Sequence, residues 1–257
     1  MIQICTRLRL LPLVIAVFLP LQLDAHSDDG IFTRILEIEV HPADVPNWEA
    51  AVATIAEAIR EIESDVWLDW LVYRTGTAKY FVIVNRIDIE EVVTLENLNG
   101  VISDVPDDSS LKSALTSLRS TNFTVVRDSL WHQHIELSTA ESMTTDSNPL
   151  AVATEYSIKP ENRADFDDAM REYVSFLKRI EYVYPVEGFH WLLGRPGRFM
   201  SVTFPDIWAD YYSHGAVDKF VVKKGLSAEL TDLRQQLLDT TESAVETYLT
   251  FAPELSP

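Results

Sequence analysis

Apolar and polar residues alternate along 33–40 ("TRILEIEV"), which places Leu36, Ile38 and Val40 on one side of a strand. From Trp48 the apolar steps change to 4, 3, 4, 3, through Val52, Ile55, Ile59 and Ile62, the single stripe of an amphipathic helix. Both patterns return 118 residues later. "AVATEYSI" (151–158) puts Val152, Thr154, Tyr156 and Ile158 on the matching side, and Phe166, Met170, Tyr173, Leu177 and Ile180 repeat the stripe. Each helix opens after a proline, at His41-Pro42 and Lys159-Pro160, where proline suits a helix start.

After each helix comes a hairpin. "WLVYRTG" (70–76) and "WLLGRPG" (191–197) read nearly alike at an offset of 121, so a three-residue insertion around Tyr182 to Glu187 is expected. The glycines Gly76 and Gly197 fall where the turn needs a positive φ. A second helix follows in each half, roughly 108–120 and 227–241, then a last strand, "SLWHQHIEL" and "ETYLTFA". The order β-α-β-β-α-β is the ferredoxin-like split unit, written twice. Residues 26–137 form the first unit, the polar stretch 138–149 a linker, and 150–257 the second.

A four-stranded sheet with helices on one face leaves the other bare, and Leu71 and Tyr73 make that face apolar. Two copies in one chain satisfy it by packing sheet to sheet. The predicted fold class is therefore α+β, two tandem ferredoxin-like units forming an intramolecular α+β barrel. Over residues 31–256 this order, the duplication and the ending "YLTFAPELS" resemble the dimeric α+β barrel superfamily, with its antibiotic-biosynthesis-monooxygenase-like and EthD-like domains. That resemblance implies cofactor-independent oxygenases, haem enzymes, isomerases or proteins of unknown activity, and brings no catalytic motif with it.

The first 25 residues read as a signal peptide: Arg7 and Arg9, an apolar run, and cleavage after Ala25. The expected location is secreted or periplasmic. Cleavage removes Cys5, the only cysteine, so the mature chain has neither disulfide nor thiol nucleophile. It also takes the net charge from −19 to −20, through loss of Arg7, Arg9 and Asp24. Such a surface repels nucleic acid and anionic membranes. No nucleotide-binding, serine-hydrolase or zinc-peptidase motif occurs, and no motif implies a cofactor. The expected assembly is a monomer with an internal pseudo-dimer, or a homo-oligomer.

Within the barrel a small, largely apolar or aromatic ligand is expected, lined or covered by Trp70, Trp191, Glu37, His190 and the segment Trp208, Tyr211, Tyr212, His214. The alternative is a cofactor-independent monooxygenase-like enzyme in which His190 or a raised-pKa Glu155 takes a proton. A third reading is an interaction module whose barrel is filled by side chains. Glu37 and Glu155, 118 apart, should both face the space between the sheets, or pair with Arg74 or Arg195 at the rim. Asp69 and His190 stand before the repeated tryptophans. His132 and His134 share one strand face and form two thirds of a metal site if Glu37, Asp69 or His190 joins them. His26, the expected mature N-terminus, reads as part of a disordered tail.

Overall fold

In the computed structural model, which describes residues 32–60, 70–87, 110–139, 148–193 and 197–257, both predicted units are present. The first contributes β1 (Phe32–Val40), α1 (Val45–Arg60), β2 (Trp70–Arg74), β3 (Lys79–Ile87), α2 (Ser110–Ser120) and β4 (Phe123–His134). The second contributes β5 (Leu150–Ile158), α3 (Arg163–Arg179), β6 (Val186–Leu193), β7 (Arg198–Thr203), α4 (Val217–Lys224), α5 (Ser227–Thr240) and β8 (Thr241–Phe251). Helix α4 has no counterpart among the described residues of the first half. The signal segment, His26, Asp69, Arg195 and most of the linker lie outside the described residues.

The strands close into one antiparallel barrel in the order β1-β3-β2-β8-β5-β7-β6-β4. Each half therefore has the ferredoxin-like order, β4-β1-β3-β2 and β8-β5-β7-β6. The two sheets meet not only face to face but edge to edge, at a β2·β8 seam and a β4·β6 seam. Closure leaves no unpaired strand edge, the liability of an isolated four-stranded sheet.

Alternation sorts the side chains into an inner and an outer core. Ile35, Tyr73, Trp131, Phe189, Met200 and Leu249 fill the barrel. Outside, Ile38, Val40, Trp48, Val52, Val72 and Tyr80 pack beneath α1. Ile158, Phe166, Met170, Val174 and Phe199 do the same beneath α3. Trp48 and Val52 of the first stripe and the whole second stripe thus lie on the faces that bind helix to sheet, while Ile62 lies outside the described residues.

The hairpin register differs from the one the repeated heptad suggests. Ser256 Oγ accepts from Val72 N at 3.0 Å, and Ser138 Oγ accepts from Gly188 N at 3.0 Å. Ser138 and Ser256 are 118 apart, so Val72 corresponds to Gly188, and by the same count Trp70 to Val186. Trp70 faces the helices, its indole donating to the Leu255 carbonyl at 3.0 Å, whereas Trp191 faces the barrel. The similar letters reflect strand-and-turn composition, because β6 runs past the common register to Leu193 and pairs further with β4. The expected insertion therefore falls away. Gly76 and Gly197 do have positive φ, 85° and 88°.

Candidate functional site at the β4·β6 seam

The barrel is nearly full. Its internal cavity is about 20 Å³, lined mainly by apolar side chains such as Ile35, Phe81, Met200 and Phe204. That is room for a single water-sized molecule and far below the roughly 300 Å³ of a drug-sized ligand site. The expected preformed ligand cavity is corrected accordingly: side chains such as Trp131, Phe189 and Met200 occupy the space.

One end of this interior is polar. Glu187 is 1 % exposed, on the inner face of β6 beside Val202. Burial alone pushes its carboxyl up to about 8. Its Oε2, the Gln133 amide oxygen and nitrogen, Thr33 Oγ1 and Trp191 Nε1 are all buried with no hydrogen-bond partner among the described residues. The register spaces them along the seam: Gln133 lies opposite Phe189, two residues from Glu187, while Thr33 lies opposite Trp131 and Trp131 opposite Trp191, two residues further on. Of these groups Thr33 lines the small cavity, together with Tyr73, whose phenol burial and then the Glu187 charge push up to about 12. Each unpaired group costs about 1–3 kcal/mol of desolvation that no internal bond offsets.

At the opposite end Glu37 and Glu155 do point inward and are joined by Arg127. Arg127 binds Glu37 and reaches Glu155 at 2.5 Å, while Arg198 bonds Glu155 at 2.7 Å. The Arg127 guanidinium also lies 5.5 Å from the Trp191 ring centre. Burial raises the Glu37 carboxyl, and Arg127 offsets part of that. These carboxylates are tied to arginines at a rim, to Arg127 and Arg198, while Arg74 pairs instead with Glu49 and Glu254.

His190 lies on the outer face of β6, against Phe199 and α3, so it and Glu155 are on opposite faces of the sheet. The proposed His190–Glu155 catalytic pair is corrected on that ground, since alternation carries Trp191 inward and His190 outward. His190 Nε2 stands 3.2 Å from Asp167 Oδ1 of α3, close enough for charge pairing but not aligned as a hydrogen bond. Burial works to raise the Asp167 carboxyl, and His190 and Arg163 outweigh it, leaving it below the ordinary range. His134 stacks edge-on to His190 and to His132, with His132 Nδ1 3.2 Å from His134 Nε2. Burial, then the His190 and His132 charges, lowers the His134 imidazole to about 4. Among the described residues no three His, Cys, Asp or Glu side chains are arranged to hold a metal ion, so the His132–His134 pair has no metal geometry around it.

Trp208, Tyr211 and Tyr212 do not line the cavity. They pack over Tyr248, on the outer face of β8. A short helix, Trp208–Asp210, and a π turn, Tyr211–Gly215, carry them there. The His214 side chain lies outside the described residues.

Sequence reasoning missed Glu187, Gln133, Thr33, Arg127 and Asp167. A signal existed for Glu187, a lone carboxylate in the otherwise uncharged run 182–193. For Arg127 and Asp167 no local pattern distinguishes them from the many other charges.

No family model matches the chain, and no curated protein does. Solved structures do. A candidate monooxygenase of Fusobacterium nucleatum superposes with a TM-score of 0.57 at 12 % identity, over 86 % of this chain and 92 % of that one. The chain has the dimeric α+β barrel fold. An anthrone oxidase-like protein (TM-score 0.54, 9 % identity, 88 % and 92 % covered) shares it. So does a candidate chlorite dismutase (TM-score 0.53, 11 % identity, 88 % and 96 % covered). At these identities the dimeric α+β barrel match is one of fold, here with both barrel halves in a single chain.

Proposed function

We propose that the protein is a small-molecule enzyme of the oxygenase-like kind, with its reacting centre at the polar end of the barrel and Glu187 as the proton-transferring group. The observation that carries this reading is a fully buried carboxyl, pushed up to about 8, in a barrel interior that also holds an amide, a hydroxyl and an indole N–H without a partner among the described residues. Buried polar groups are otherwise paired almost without exception, so such a set suits a hydrogen-bonding guest. In the closed barrel the guest is water-sized, and a larger substrate requires a seam to part, for which the two-pair β2·β8 ladder offers less resistance than the five-pair β4·β6 ladder. Glu187 takes the acidic proton of an electron-rich phenol or enol, and the anion then reacts with dioxygen in a site shielded from solvent.

The test uses anthrone, the compound class that names one of the structural neighbours. Oxidation to the quinone consumes one dioxygen and releases one water, so oxygen uptake reports turnover. Wild-type uptake rises towards about pH 8, as Glu187 ionises, and Glu187→Gln lowers it at least about a hundredfold. Absence of uptake, together with no retained small molecule in native mass spectrometry, sinks the proposal. The second reading, a filled barrel serving interaction alone, is favoured by the 20 Å³ cavity and would then stand.

Export is part of the same proposal: removal of residues 1–25 leaves His26 first, which N-terminal sequencing of the mature protein checks.

A further inference from the structure

The outer faces of β4 and β8 carry corresponding carboxylates, Asp128 and Glu246, 118 residues apart and opposite Leu36 and Thr154. In the first half Asp128 is fully engaged. Arg34 donates to it twice, Nε to Oδ1 at 2.9 Å and Nη2 to Oδ2 at 2.6 Å, a fork-to-carboxylate pair. In the second half the residue corresponding to Arg34 is Val152, which is buried and carries no charge. Glu246 keeps its carboxylate but has no cation among the described residues; it accepts only the Tyr248 hydroxyl, at 2.9 Å.

What surrounds Glu246 also differs. Leu130 of the first half is buried, and its counterpart Tyr248 is 41 % exposed. The short helix and the π turn bring three further rings over it. Trp208 stands 5.7 Å from Tyr248 and edge-on to it, Tyr212 stacks on Trp208 at 5.8 Å, and Tyr211 lies 5.6 Å from Tyr212. Tyr212 is 50 % exposed, so the group opens to solvent. Among the described residues no lysine or arginine lies over any of these four rings. The neighbouring cations are already engaged: Arg234 with Asp218, and Lys219 with the backbone carbonyl of Tyr212 rather than its ring.

We propose that Glu246 and the Trp208, Tyr212 and Tyr248 rings bind the guanidinium group of an arginine side chain presented by a partner polypeptide, in the place that Arg34 fills internally in the first half. A planar guanidinium suits both parts of the site: its edge forks onto a carboxylate and its face stacks on an aromatic ring. The strongly negative surface of the chain draws a basic segment towards it.

The experiment follows the Trp208 indole N–H resonance of the whole protein during titration with a blocked Gly-Arg-Gly peptide. A saturable shift is expected, weakening with added salt. A blocked Gly-Lys-Gly peptide binds about fivefold more weakly, because an ammonium cannot fork and stack at once. Glu246→Gln, at an exposed site and checked by an unchanged Tm, weakens the arginine peptide about fivefold, and Tyr212→Leu does the same by removing a ring while keeping the Trp208 probe. Equal affinity for the two peptides, or an unchanged affinity in Glu246→Gln, overturns the proposal. Agmatine binding as tightly as the peptide assigns the site to a free cation and overturns the polypeptide source.

Discussion

The two seams of the barrel occupy corresponding places and are built differently. Inside the β2·β8 seam, Leu71, Phe251 and Ala151 stand where the β4·β6 seam has Glu187, Gln133 and Thr33. Outside, the first seam holds Arg74 between Glu49 at 2.8 Å and Glu254 at 2.6 Å, with the Tyr80 hydroxyl donating to Glu49 at 2.8 Å. The second replaces that set with His190, Asp167, Glu136 and Phe199. One seam is therefore a permanent ion pair over an apolar interior. The other is a titratable stack over a polar interior. Duplication supplied a closed frame, and the unpaired interior groups lie at the seam with the longer ladder, five residue pairs against two. A single symmetric seam would have to serve stability and chemistry with the same residues.

Making the polar seam a copy of the apolar one is the strongest way to break this contrast. Glu187→Leu inserts the residue type that Leu71 supplies opposite. The wild-type carboxyl stays protonated in the fold up to about pH 8, while the unfolded chain ionises near 4.5. Folding therefore retains a proton the unfolded chain releases, and stability falls as pH rises across that window. Glu187→Leu removes this slope and gains about 4 kcal/mol at pH 8, seen by denaturant melts at pH 5 and pH 8. A wild-type stability independent of pH would contradict the buried acid.

Next in size is Gly188→Ala. A Cβ there would lie 2.5 Å from the Leu137 carbonyl oxygen and 2.8 Å from the Phe199 ring, whereas its counterpart Val72 is accommodated with no exposure. The expected loss is about 3 kcal/mol, or roughly 10 °C in Tm by calorimetry.

Paired truncations sharpen the outer comparison. Glu49→Ala leaves Arg74 and the Tyr80 hydroxyl without their shared acceptor and costs about 2 kcal/mol. The corresponding Asp167→Ala costs about 1 kcal/mol, because its contact with His190 is unaligned. Equal losses in chemical denaturation would show the seams to be energetically alike.

The smallest effect belongs to His134. Its imidazole is neutral in the fold down to about pH 4, whereas the unfolded chain takes a proton near 6.5. Its contribution is thus present above pH 6.5 and lost as pH falls towards 4. The ring is part-exposed, and solvent screening discounts the effect, so His134→Phe flattens that acid limb by about 1 kcal/mol, measurable as Tm at pH 7 against pH 4.5.

How much of this the sequence disclosed follows from what each pattern encodes. The alternation at 33–40 and 151–158 and the stripes from Trp48 and Phe166 found their helix-to-sheet faces, because burial on one face is written locally, every second or every third to fourth residue. The 118-residue spacing carried the duplication, and with it the ferredoxin-like order and the α+β barrel. The heptad at 70 and 191 misled, because strand register is set by which strand lies alongside and not by the letters of the strand itself. Trp70 and Trp191 thus fell on opposite faces, and His190 on the far side from Glu155. Only the tertiary structure could turn Glu187, Gln133 and Thr33 into one barrel interior, since they come from three strands of two halves that meet at a seam. A sequence records which residues seek burial; which buried groups lack a partner is decided only when the barrel closes.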